Sequence, residues 1–354
     1  SATATVTVVD NIDPTITAPA AVSVNVDAGT CATALANVTL GTPTTADNCS
    51  VASTTNDAPT SFPLGATNVT WTVTDGSGNT ATATQVVTVV DNIDPVAVTQ
   101  DITVALDANG QASIATTDVD NGSSDNCSLT LALDITSFDC DDLGTNTVTL
   151  TATDGSSNTH STTATVTVID NIDPVAVAQD ITVALDANGQ ASIATTDVDN
   201  GSSDNCSLTL ALDITSFDCD DLGTNTVTLT ATDGSSNTHS TTATVTVIDN
   251  IDPTITAPAA VSVNVDAGTC ATALANVTLG TPTTADNCSV ASTTNDAPTS
   301  FPLGATNVTW TVTDGSGNTA TATQVVTVVD NIDPVAVAQD ISVALDANGQ
   351  ASIA

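Results

Sequence analysis

The pentapeptide Asp-Asn-Ile-Asp-Pro occurs five times in the chain, beginning at Asp10, Asp91, Asp170, Asp249 and Asp330. Successive copies are separated by 81, 79, 79 and 81 residues. A period of this size is too long for one coil of a solenoid and suits a small independent domain. The sequence therefore predicts tandem domains joined without long linkers, and the proline of each pentapeptide should stiffen the junction.

Two types of repeat follow one another in the order A, B, B, A, and a further B begins at the end. Residues 11–98 recur unchanged at 250–337, and the two complete B repeats differ only at Thr99 and Ala178. Near-identical copies favour a spacer role, since setting a length needs copies rather than variety. The predicted boundaries are the last strand of a preceding repeat at 1–9, type A at 10–90, type B at 91–169, type B at 170–248, type A at 249–329 and an incomplete type B at 330–354.

Apolar and polar residues alternate within each repeat, as they do in half-buried strands. Roughly seven short strands in about 80–100 residues are typical of an immunoglobulin-like sandwich. The predicted fold class is all-β, with tandem immunoglobulin-like β-sandwich domains arranged as an extended rod, and Trp71 and Trp310 are predicted core residues. The strands predicted for the first A repeat include 22–27, 34–40, 68–75 and 80–90, and those for the first B repeat include 147–154 and 163–169.

The chain contains 40 acidic residues, all of them Asp, and no Lys or Arg, which gives a net charge of −40. Nucleic acid is excluded as a partner because phosphate binding needs cationic side chains, and direct attraction to anionic lipid is excluded on the same ground. A hydrophobic fraction of 40% argues against a disordered acidic tail. The expected small ligands are hard divalent cations, chiefly calcium, which bind oxygen atoms.

The pentapeptide is the first candidate for calcium, because two carboxylates flank an Asn at each domain boundary. The Asp residues in the hairpin turns, such as Asp75, could lie at the same end of the sandwich. The alternative is that the motif is only a favourable turn sequence. The candidate junction ligands are Asp10, Asn11, Asp13, Asp91, Asn92, Asp94, Asp170, Asn171, Asp173, Asp249, Asn250, Asp252, Asp330 and Asp333.

A second acidic group occurs only in type B repeats, on both sides of the segment between the two cysteines. Close carboxylates without a cation would repel one another, which favours a metal. The spacing is not that of an EF-hand loop, and a solvated acidic loop is the alternative. The candidate ligands are Asp118, Asp120, Asp125, Asp139, Asp141 and Asp142, and in the second B repeat Asp197, Asp199, Asp204, Asp218, Asp220 and Asp221.

Each complete repeat contains two cysteines, which predicts one disulfide within each domain. Type A and type B share the cysteine of an Asp-Asn-Cys turn but place the second cysteine differently. A zinc site is the alternative, but two cysteines per domain, with one His in type B alone, do not supply four closely spaced ligands. The predicted pairs are Cys31–Cys49, Cys127–Cys140, Cys206–Cys219 and Cys270–Cys288.

The histidines, His160 and His239, occur once per B repeat at the start of a predicted strand. Catalysis would need a base, an orienting group and a substrate pocket, and no motif combines them. We therefore expect no enzymatic activity and no catalytic residues.

Three motifs together resemble the HYR (hyalin) repeat family: a strand ending in Val-Val-Asp-Asn-Ile-Asp-Pro, the Asp-Asn-Cys-Ser turn, and the segment from Leu-Gly to Thr-Asp-Gly-Ser. The repeats are similar in particular to the long SprB-like surface adhesins of gliding Bacteroidetes-type bacteria. The resemblance covers nearly the whole chain. It implies an immunoglobulin-like fold, secretion, and adhesion or extension from the cell surface, with gliding motility as a further expectation.

The expected function is a structural stalk or adhesin at the cell surface, stiffened by calcium and disulfides. Its partners would be other repeats of the same long chain and an extracellular surface or polysaccharide. Neither a signal peptide nor an apolar run that could span a membrane is found, and we expect such parts to lie outside these residues. The alternatives are a self-assembling filament or sheath with lateral self-association, and spacer repeats of a large secreted enzyme.

Overall fold

The computed structural model describes residues 2–353, and strands form most of its regular structure. Two compact units are present. One contains the residues up to Pro174 together with Asp204–Leu208 and Thr232–Thr238, and the other contains Val175–Ser203, Thr209–Ala231 and the residues from His239 onward. The predicted all-β class with tandem sandwich repeats is confirmed. Over residues 2–353, no helix combines the length and the apolar character needed to cross a membrane.

The first A repeat is built on a four-stranded sheet in the order β2-β8-β7-β5, with two further strand pairs, β1-β4 and β3-β6. A 3₁₀ helix at Leu35–Asn37 follows β3. The strands are β1 (Thr15–Thr17), β2 (Val22–Asn25), β3 (Ala32–Ala34), β4 (Thr44–Ala46), β5 (Val51–Asn56), β6 (Ser61–Pro63), β7 (Gly65–Asp75) and β8 (Thr80–Val90).

The first B repeat keeps the same plan, with a four-stranded sheet β11-β13-β14-β9 and a strand pair β10-β12. An α-helical turn at Thr116–Val119 and a 3₁₀ helix at Cys140–Asp142 complete it. Its strands are β9 (Ile102–Ala105), β10 (Gln111–Ser113), β11 (Leu129–Leu133), β12 (Ser137–Asp139), β13 (Gly144–Asp154) and β14 (Thr159–Ile169).

The second B and second A repeats have the same sheet orders as the first copies. The B strands are β15 (Ile181–Ala184), β16 (Gln190–Ser192), β17 (Leu208–Leu212), β18 (Ser216–Asp218), β19 (Gly223–Asp233) and β20 (Thr238–Ile248), with helical turns at Thr195–Val198 and Cys219–Asp221. The A strands are β21 (Thr254–Thr256), β22 (Val261–Asn264), β23 (Ala271–Ala273), β24 (Thr283–Ala285), β25 (Val290–Asn295), β26 (Ser300–Pro302), β27 (Gly304–Asp314) and β28 (Thr319–Val329), with a 3₁₀ helix at Leu274–Asn276.

Each repeat has its own apolar core between the long hairpin and the shorter strands. In the first A repeat, Phe62 of β6 packs with Trp71 of β7 and Val87 of β8. The indole N–H of Trp71 donates to the buried Gln85 side chain at 3.0 Å, which confirms Trp71 as a core residue. The Gln85 amide in turn donates to two backbone carbonyls at 2.7 Å, so this polar group is fully used within the core.

The predicted strand at 34–40 is wrong, because β3 ends at Ala34 and a 3₁₀ helix follows. The Asp27 carboxylate accepts hydrogen bonds from the Ala34 backbone N–H and from the Asn37 side chain, both at 2.8 Å. These hydrogen bonds to a nearby carboxylate replace the hydrogen bonds of a β-ladder, so the strand ends and the chain turns there.

The direction of the strands fixes the two ends of a repeat. Strand β8 begins after the hairpin turn at Asp75 and ends at the junction motif of the next repeat. Because β2 runs parallel to β8, with Asn25 opposite Val90, the loop after β2 lies at this outgoing end. Because Val51 of β5 pairs with Asp75, the Asp-Asn-Cys turn that precedes β5 lies at the opposite, incoming end.

Candidate functional site at the repeat junctions

Three disulfides connect consecutive repeats. Each joins a cysteine at the outgoing end of one repeat to the cysteine of the Asp-Asn-Cys turn in the next. Cys49 and Cys270 are free and exposed. The pairs are Cys31–Cys127, Cys140–Cys206 and Cys219–Cys288, with Cα–Cα distances of 5.0, 5.5 and 5.5 Å.

The predicted pairing within domains, Cys31–Cys49, Cys127–Cys140, Cys206–Cys219 and Cys270–Cys288, is therefore wrong. The two cysteines of a repeat lie at opposite ends of its long sheet. An 11-residue strand such as β8 separates those ends by roughly 34 Å at ~3.4 Å per residue. A disulfide requires Cα atoms within about 7 Å, so the two cysteines of one repeat cannot pair.

The two repeat types reach the same outgoing position from opposite strands. In type A, Ala32 pairs with Pro63, which places Cys31 across from Leu64. In type B, Gln111 pairs with Asp139, which places Cys140 across from Gly110. The cysteine therefore lies beside one strand of this pair in type A and beside the other strand in type B, and from both positions it forms the disulfide to the next repeat.

Glycine is required opposite the type B cysteine. Gly110 has φ +72°, and a Cβ added there would lie 2.6 Å from the Cys140 sulfur and 2.7 Å from the backbone oxygen of Asn205. Gly189 meets the same obstacles, Cys219 and Asn287, in the next repeat. A side chain at these positions would displace the turn of the following repeat.

In the second, third and fourth repeats, the Asn of the Asp-Asn-Cys turn donates one hydrogen bond to the preceding repeat and one to the junction motif of its own repeat. Asn126 Nδ2 donates to the Thr30 backbone oxygen at 3.0 Å and to Asp91 at 3.2 Å. Asn205 Nδ2 donates to the Asp107 oxygen at 3.3 Å and to Asp170 at 3.2 Å. The equivalent Asn287 contacts are with Asp186 and Asp249, both at 3.2 Å.

Groups of acidic side chains lie at the incoming end of each repeat, where the junction motif, the Asp-Asn-Cys turn and the hairpin turn meet. Their ligand atoms lie within 4.8 Å of one another in each group. At the second junction the disulfide-bonded Cys127 takes the third place beside the two carboxylates. The groups are Asp10, Asp47 and Asp75; Asp91, Asp125 and Cys127; Asp170, Asp204 and Asp233; and Asp249, Asp286 and Asp314.

The hairpin aspartate is held by its own turn. Asp75 accepts from Ser77 and Asn79 backbone N–H groups at 2.9 and 2.8 Å and from Asn79 Nδ2 at 2.8 Å. Burial acts to raise the pKa of Asp75, but the hydrogen bonds from Asn79 and Ser77 outweigh it, so the pKa lies below its ordinary value. The pKa values of Asp154 and Asp314 are lowered in the same way. These carboxylates are therefore ionised at neutral pH.

The hairpin asparagine also ties the hairpin to the junction motif. Asn79 Nδ2 donates to the Asp10 backbone oxygen at 3.2 Å, and Asn158 and Asn237 donate to Asp91 and Asp170 at 3.2 and 3.1 Å. This explains why the junction motif and the hairpin turn lie together.

Buried oxygen atoms without a hydrogen-bond partner concentrate at the same places. In the described residues there are nine such side-chain atoms, and all belong to the junction motif or to the Asp-Asn-Cys turn. At the third junction they are Asp170 Oδ2, Asp204 Oδ1 and Asn205 Oδ1. A buried acceptor without a donor costs free energy, so these oxygen atoms are candidate ligands for a cation or acceptors for a bound water molecule.

Of the ligands predicted from the sequence, the structure brings together the first Asp of four junction motifs and the turn residues Asp125 and Asp204. The second Asp of each motif, Asp13, Asp94, Asp173 and Asp252, is exposed and outside the groups. The motif asparagines Asn11, Asn92, Asn171 and Asn250 are also exposed. Asp330 and Asp333 are exposed, and Asp330 accepts from the Ile332 backbone N–H at 3.0 Å.

The other type B loop carboxylates have local roles in turns and helix caps. Asp118 accepts from the Ala115 N–H at 2.7 Å, and Asp120 from the Ser123 N–H at 2.9 Å. Asp139 and Asp142 cap the 3₁₀ helix that contains Asp141. The second B repeat has the same arrangement at Asp197, Asp199, Asp218, Asp220 and Asp221.

Sequence reasoning missed the turn residues Asp47 and Asp286 of type A as site residues, although their Asp-Asn-Cys motif is the same as in type B. It also missed the role of the turn asparagines. The identical tripeptide in both repeat types was the available signal.

The histidines contact a backbone group. Ala97 N–H donates to His160 Nδ1 at 3.0 Å, and Ala176 N–H donates to His239 Nδ1 at the same distance. Each histidine thus fixes the segment that follows the junction proline.

Residues 9–89 and 248–328, which are the two type A repeats, match the family model of the HYR domain. The chain is also 30% identical over 349 residues to hyalin from Strongylocentrotus purpuratus, a match that covers 93% of this chain and 29% of hyalin. The chain therefore spans less than a third of the curated relative that it matches. Both matches support the HYR resemblance that the junction, turn and hairpin motifs carry.

Among solved structures, the chain is similar to protocadherin gamma B2 extracellular cadherin domains 3–6 (TM-score 0.30, 14% identity, covering 90% of this chain and 100% of that one). It is also similar to Drosophila N-cadherin EC1-4 (TM-score 0.28, 11% identity, 88% and 99%) and mouse cadherin-23 EC22-24 (TM-score 0.27, 16% identity, 66% and 96%).

Proposed function

We propose that these repeats are a non-catalytic, covalently linked stalk within an extracellular adhesion-type protein of the HYR family. The observation that carries the proposal is the set of disulfides between consecutive repeats. Disulfides persist in oxidising, extracellular compartments. A linkage at every junction between complete repeats resists separation of neighbouring domains, which is what a part that transmits tension between a cell and its target needs.

The net charge of −40 keeps such chains soluble and apart. The stalk would hold an adhesive region away from the cell surface or present many weak binding faces to a surface or polysaccharide. An extended rod and a part in gliding motility stay predictions from the repeat pattern and from the resemblance to bacterial adhesins.

The proposal is tested by labelling intact cells of the host with an antibody against the repeats. The label is expected on non-permeabilised cells, and in-frame deletion of one A–B pair should bring the distal end of the protein closer to the cell. Label that appears only after permeabilisation would contradict an extracellular stalk. Trypsin is unsuitable for surface digestion because the chain has no Lys or Arg, so a broad-specificity protease serves as the control.

Calcium at the junctions is part of this proposal, since forty carboxylates have no cationic side chain to pair with. A cation bound by the native state alone raises the melting temperature. We expect the oxidised chain to melt at a higher temperature with calcium than with a chelator. An unchanged melting temperature would remove calcium from the proposal and leave the disulfides and junction prolines as the stiffening elements.

Lateral self-association is the second candidate, and one observation favours it. Strand β5 in the first A repeat, and its copy β25, lie at a sheet edge with all six residues exposed. An exposed edge can pair with another chain, although the bulge between Val51 and Ser53 twists this edge and discourages pairing. Sedimentation velocity at rising concentration tests it, and a constant monomer with calcium present would exclude assembly through these edges.

A further inference from the structure

We propose that the Asp-Asn pair of each Asp-Asn-Cys turn, together with the first Asp of the junction motif and the hairpin Asp, forms an all-oxygen site for one calcium ion. The inference rests on the calcium role proposed above and assigns its ligands. It differs from the junction set expected from the sequence, because the second Asp and the Asn of the motif are not ligands and the turn residues are.

The third junction gives the strongest support for this site, because three buried oxygens there have no hydrogen-bond partner. Asp170 is 7% exposed, and its Oδ1 accepts from the Ile172 N–H at 3.1 Å and from Asn205 Nδ2 at 3.2 Å, while its Oδ2 has no partner. Asp204 uses Oδ2 to accept from the Cys206 N–H at 3.0 Å, and its buried Oδ1 has no partner. Each carboxylate is thus oriented by one oxygen and leaves the other free.

Asn205 supplies the third free oxygen. Its Nδ2 donates to the Asp107 backbone oxygen and to Asp170, and its buried Oδ1 has no donor. Asp233 is 6% exposed, and its oxygens accept from Ser235 and Asn237. Its contribution to the site is therefore mainly negative charge beside the three free oxygens.

A cation satisfies this arrangement better than a water molecule does. Three carboxylates whose oxygen atoms lie within 4.8 Å repel one another, and the chain has no Lys or Arg to offset them. A water molecule offers two donors to three acceptors and no net charge, whereas one divalent ion meets all three and reduces the repulsion.

Calcium is the cation that this ligand set favours. The free atoms are carboxylate and amide oxygens, which are hard ligands, and the nearby cysteine is in a disulfide and cannot act as a thiolate. Calcium accepts six to eight oxygens in flexible geometry, so waters can complete its shell around the protein ligands. Magnesium demands a near-ideal octahedron and favours sites that keep most of its water.

Part of this arrangement recurs at the other junctions, each of which has two free buried oxygens instead of three. Free buried oxygens belong to Asp10 and Asp47 at the first, Asp125 and Asn126 at the second, and Asp286 and Asn287 at the fourth. Because Asn126, Asn205 and Asn287 bind the preceding repeat through Nδ2, an ion on the Oδ1 atom of these residues would fix the amide orientation. It would also order the turn that carries the linking cysteine. Ion binding and the repeat–repeat contact would therefore stabilise each other.

Calcium-45 equilibrium dialysis of the oxidised full chain at physiological salt tests the assignment. We expect four ions bound per chain. Asp170→Asn should bind three, because an amide nitrogen replaces a free carboxylate oxygen. Asp173→Asn is the matched control, since it makes the same charge change three residues away at an exposed position, and it should bind four.

Thermal unfolding of the same variants supplies a second readout that does not depend on counting ions. In chelator, Asp170→Asn should melt no lower than the wild type, because its new N–H group meets the free acceptors of Asp204 and Asn205. With calcium, the wild type and Asp173→Asn should gain more than Asp170→Asn.

The outcomes separate this assignment from the proposed function. If the wild type binds calcium but Asp170→Asn binds and responds equally, the ligand set is wrong and the calcium role stands. If the wild type binds no calcium above the background of its surface charge, both the site and the calcium role fail, while the disulfide-linked stalk is untouched.

Discussion

Pulling the oxidised chain between Cys31 and Cys288 should reveal a tether that barely lengthens when its domains unfold. These residues are 257 positions apart, and the three disulfide loops enclose 96, 66 and 69 of them. Force passes through each disulfide and bypasses the enclosed loop. The extensible parts are the two 13-residue segments from Cys127 to Cys140 and from Cys206 to Cys219.

The limit on extension follows from the reach of the chain. At about 3.5 Å per residue, the two open segments and the three disulfides allow about 110 Å between Cys31 and Cys288. The fully reduced chain would allow about 900 Å over the same residues. Pairing within domains would instead leave most residues extensible and, with its four disulfides, allow about 700 Å.

Single-molecule force spectroscopy, with flanking domains of known unfolding length as internal rulers, measures this limit. The double variant Cys140→Ser/Cys206→Ser should lengthen the oxidised tether by about 230 Å, because it releases the 66-residue loop. The double variant Cys49→Ser/Cys270→Ser removes the free thiols and should leave the limit unchanged. Before the force measurements, alkylation of the oxidised wild-type chain without reductant should label Cys49 and Cys270 alone.

An oxidised tether that reaches several hundred ångströms would refute the pairing between repeats, and with it the main support for a force-resisting stalk. A limit near 110 Å that rises on adding reductant would agree with it.

Three further predictions concern stability. Gly110→Ala should lower the unfolding free energy by about 1–3 kcal/mol in urea titrations, because the added Cβ meets Cys140. Gly122→Ala is the control for backbone strain alone, since Gly122 has φ +93° and open space around it, and it should lower the unfolding free energy by less. Gln85→Ala should lower the free energy of unfolding by about 1–3 kcal/mol, because it leaves the Trp71 indole N–H unpaired. Unfolding is followed by Trp fluorescence, and an unchanged midpoint would contradict the core hydrogen-bond network. Because folding lowers the pKa of Asp75, its carboxylate stabilises the folded state above the unfolded pKa of about 3.9, and this stabilisation is lost as the pH falls through the folded pKa. The melting temperature should therefore decrease when the pH is lowered below about 4, and the decrease should be less steep in Asp75→Asn.

The long strands were predictable because their alternation is local information. Val69, Trp71 and Val73 alternate with threonines, and the structure buries all three in β7. The 3₁₀ helix at Leu35–Asn37 was not predictable from that pattern, because it depends on Asp27, a carboxylate several residues upstream.

The cysteine pairing failed for a related reason. An even number of cysteines per repeat fits pairing within domains and pairing between neighbours equally well. Only the strand directions, with β2 parallel to β8 and β5 beside the hairpin turn, show that Cys31 and Cys49 lie at opposite ends. The candidate cation site was predictable in part, since Asp10 and its copies were identified from their motif. The turn residue Asp47 was missed although type B has the same Asp-Asn-Cys motif, and the tertiary structure places it beside Asp10.

The linking turn is the same at three kinds of boundary, from A to B, from B to B and from B to A. Its partner cysteine comes from either strand of one strand pair, so the order of the repeats does not matter to the linkage at these boundaries. Recombination between near-identical copies could therefore insert or delete whole repeats and leave the remaining boundaries chemically complete. The length of the protein would then be free to vary between lineages in steps of about 80 residues, without compensating substitutions elsewhere.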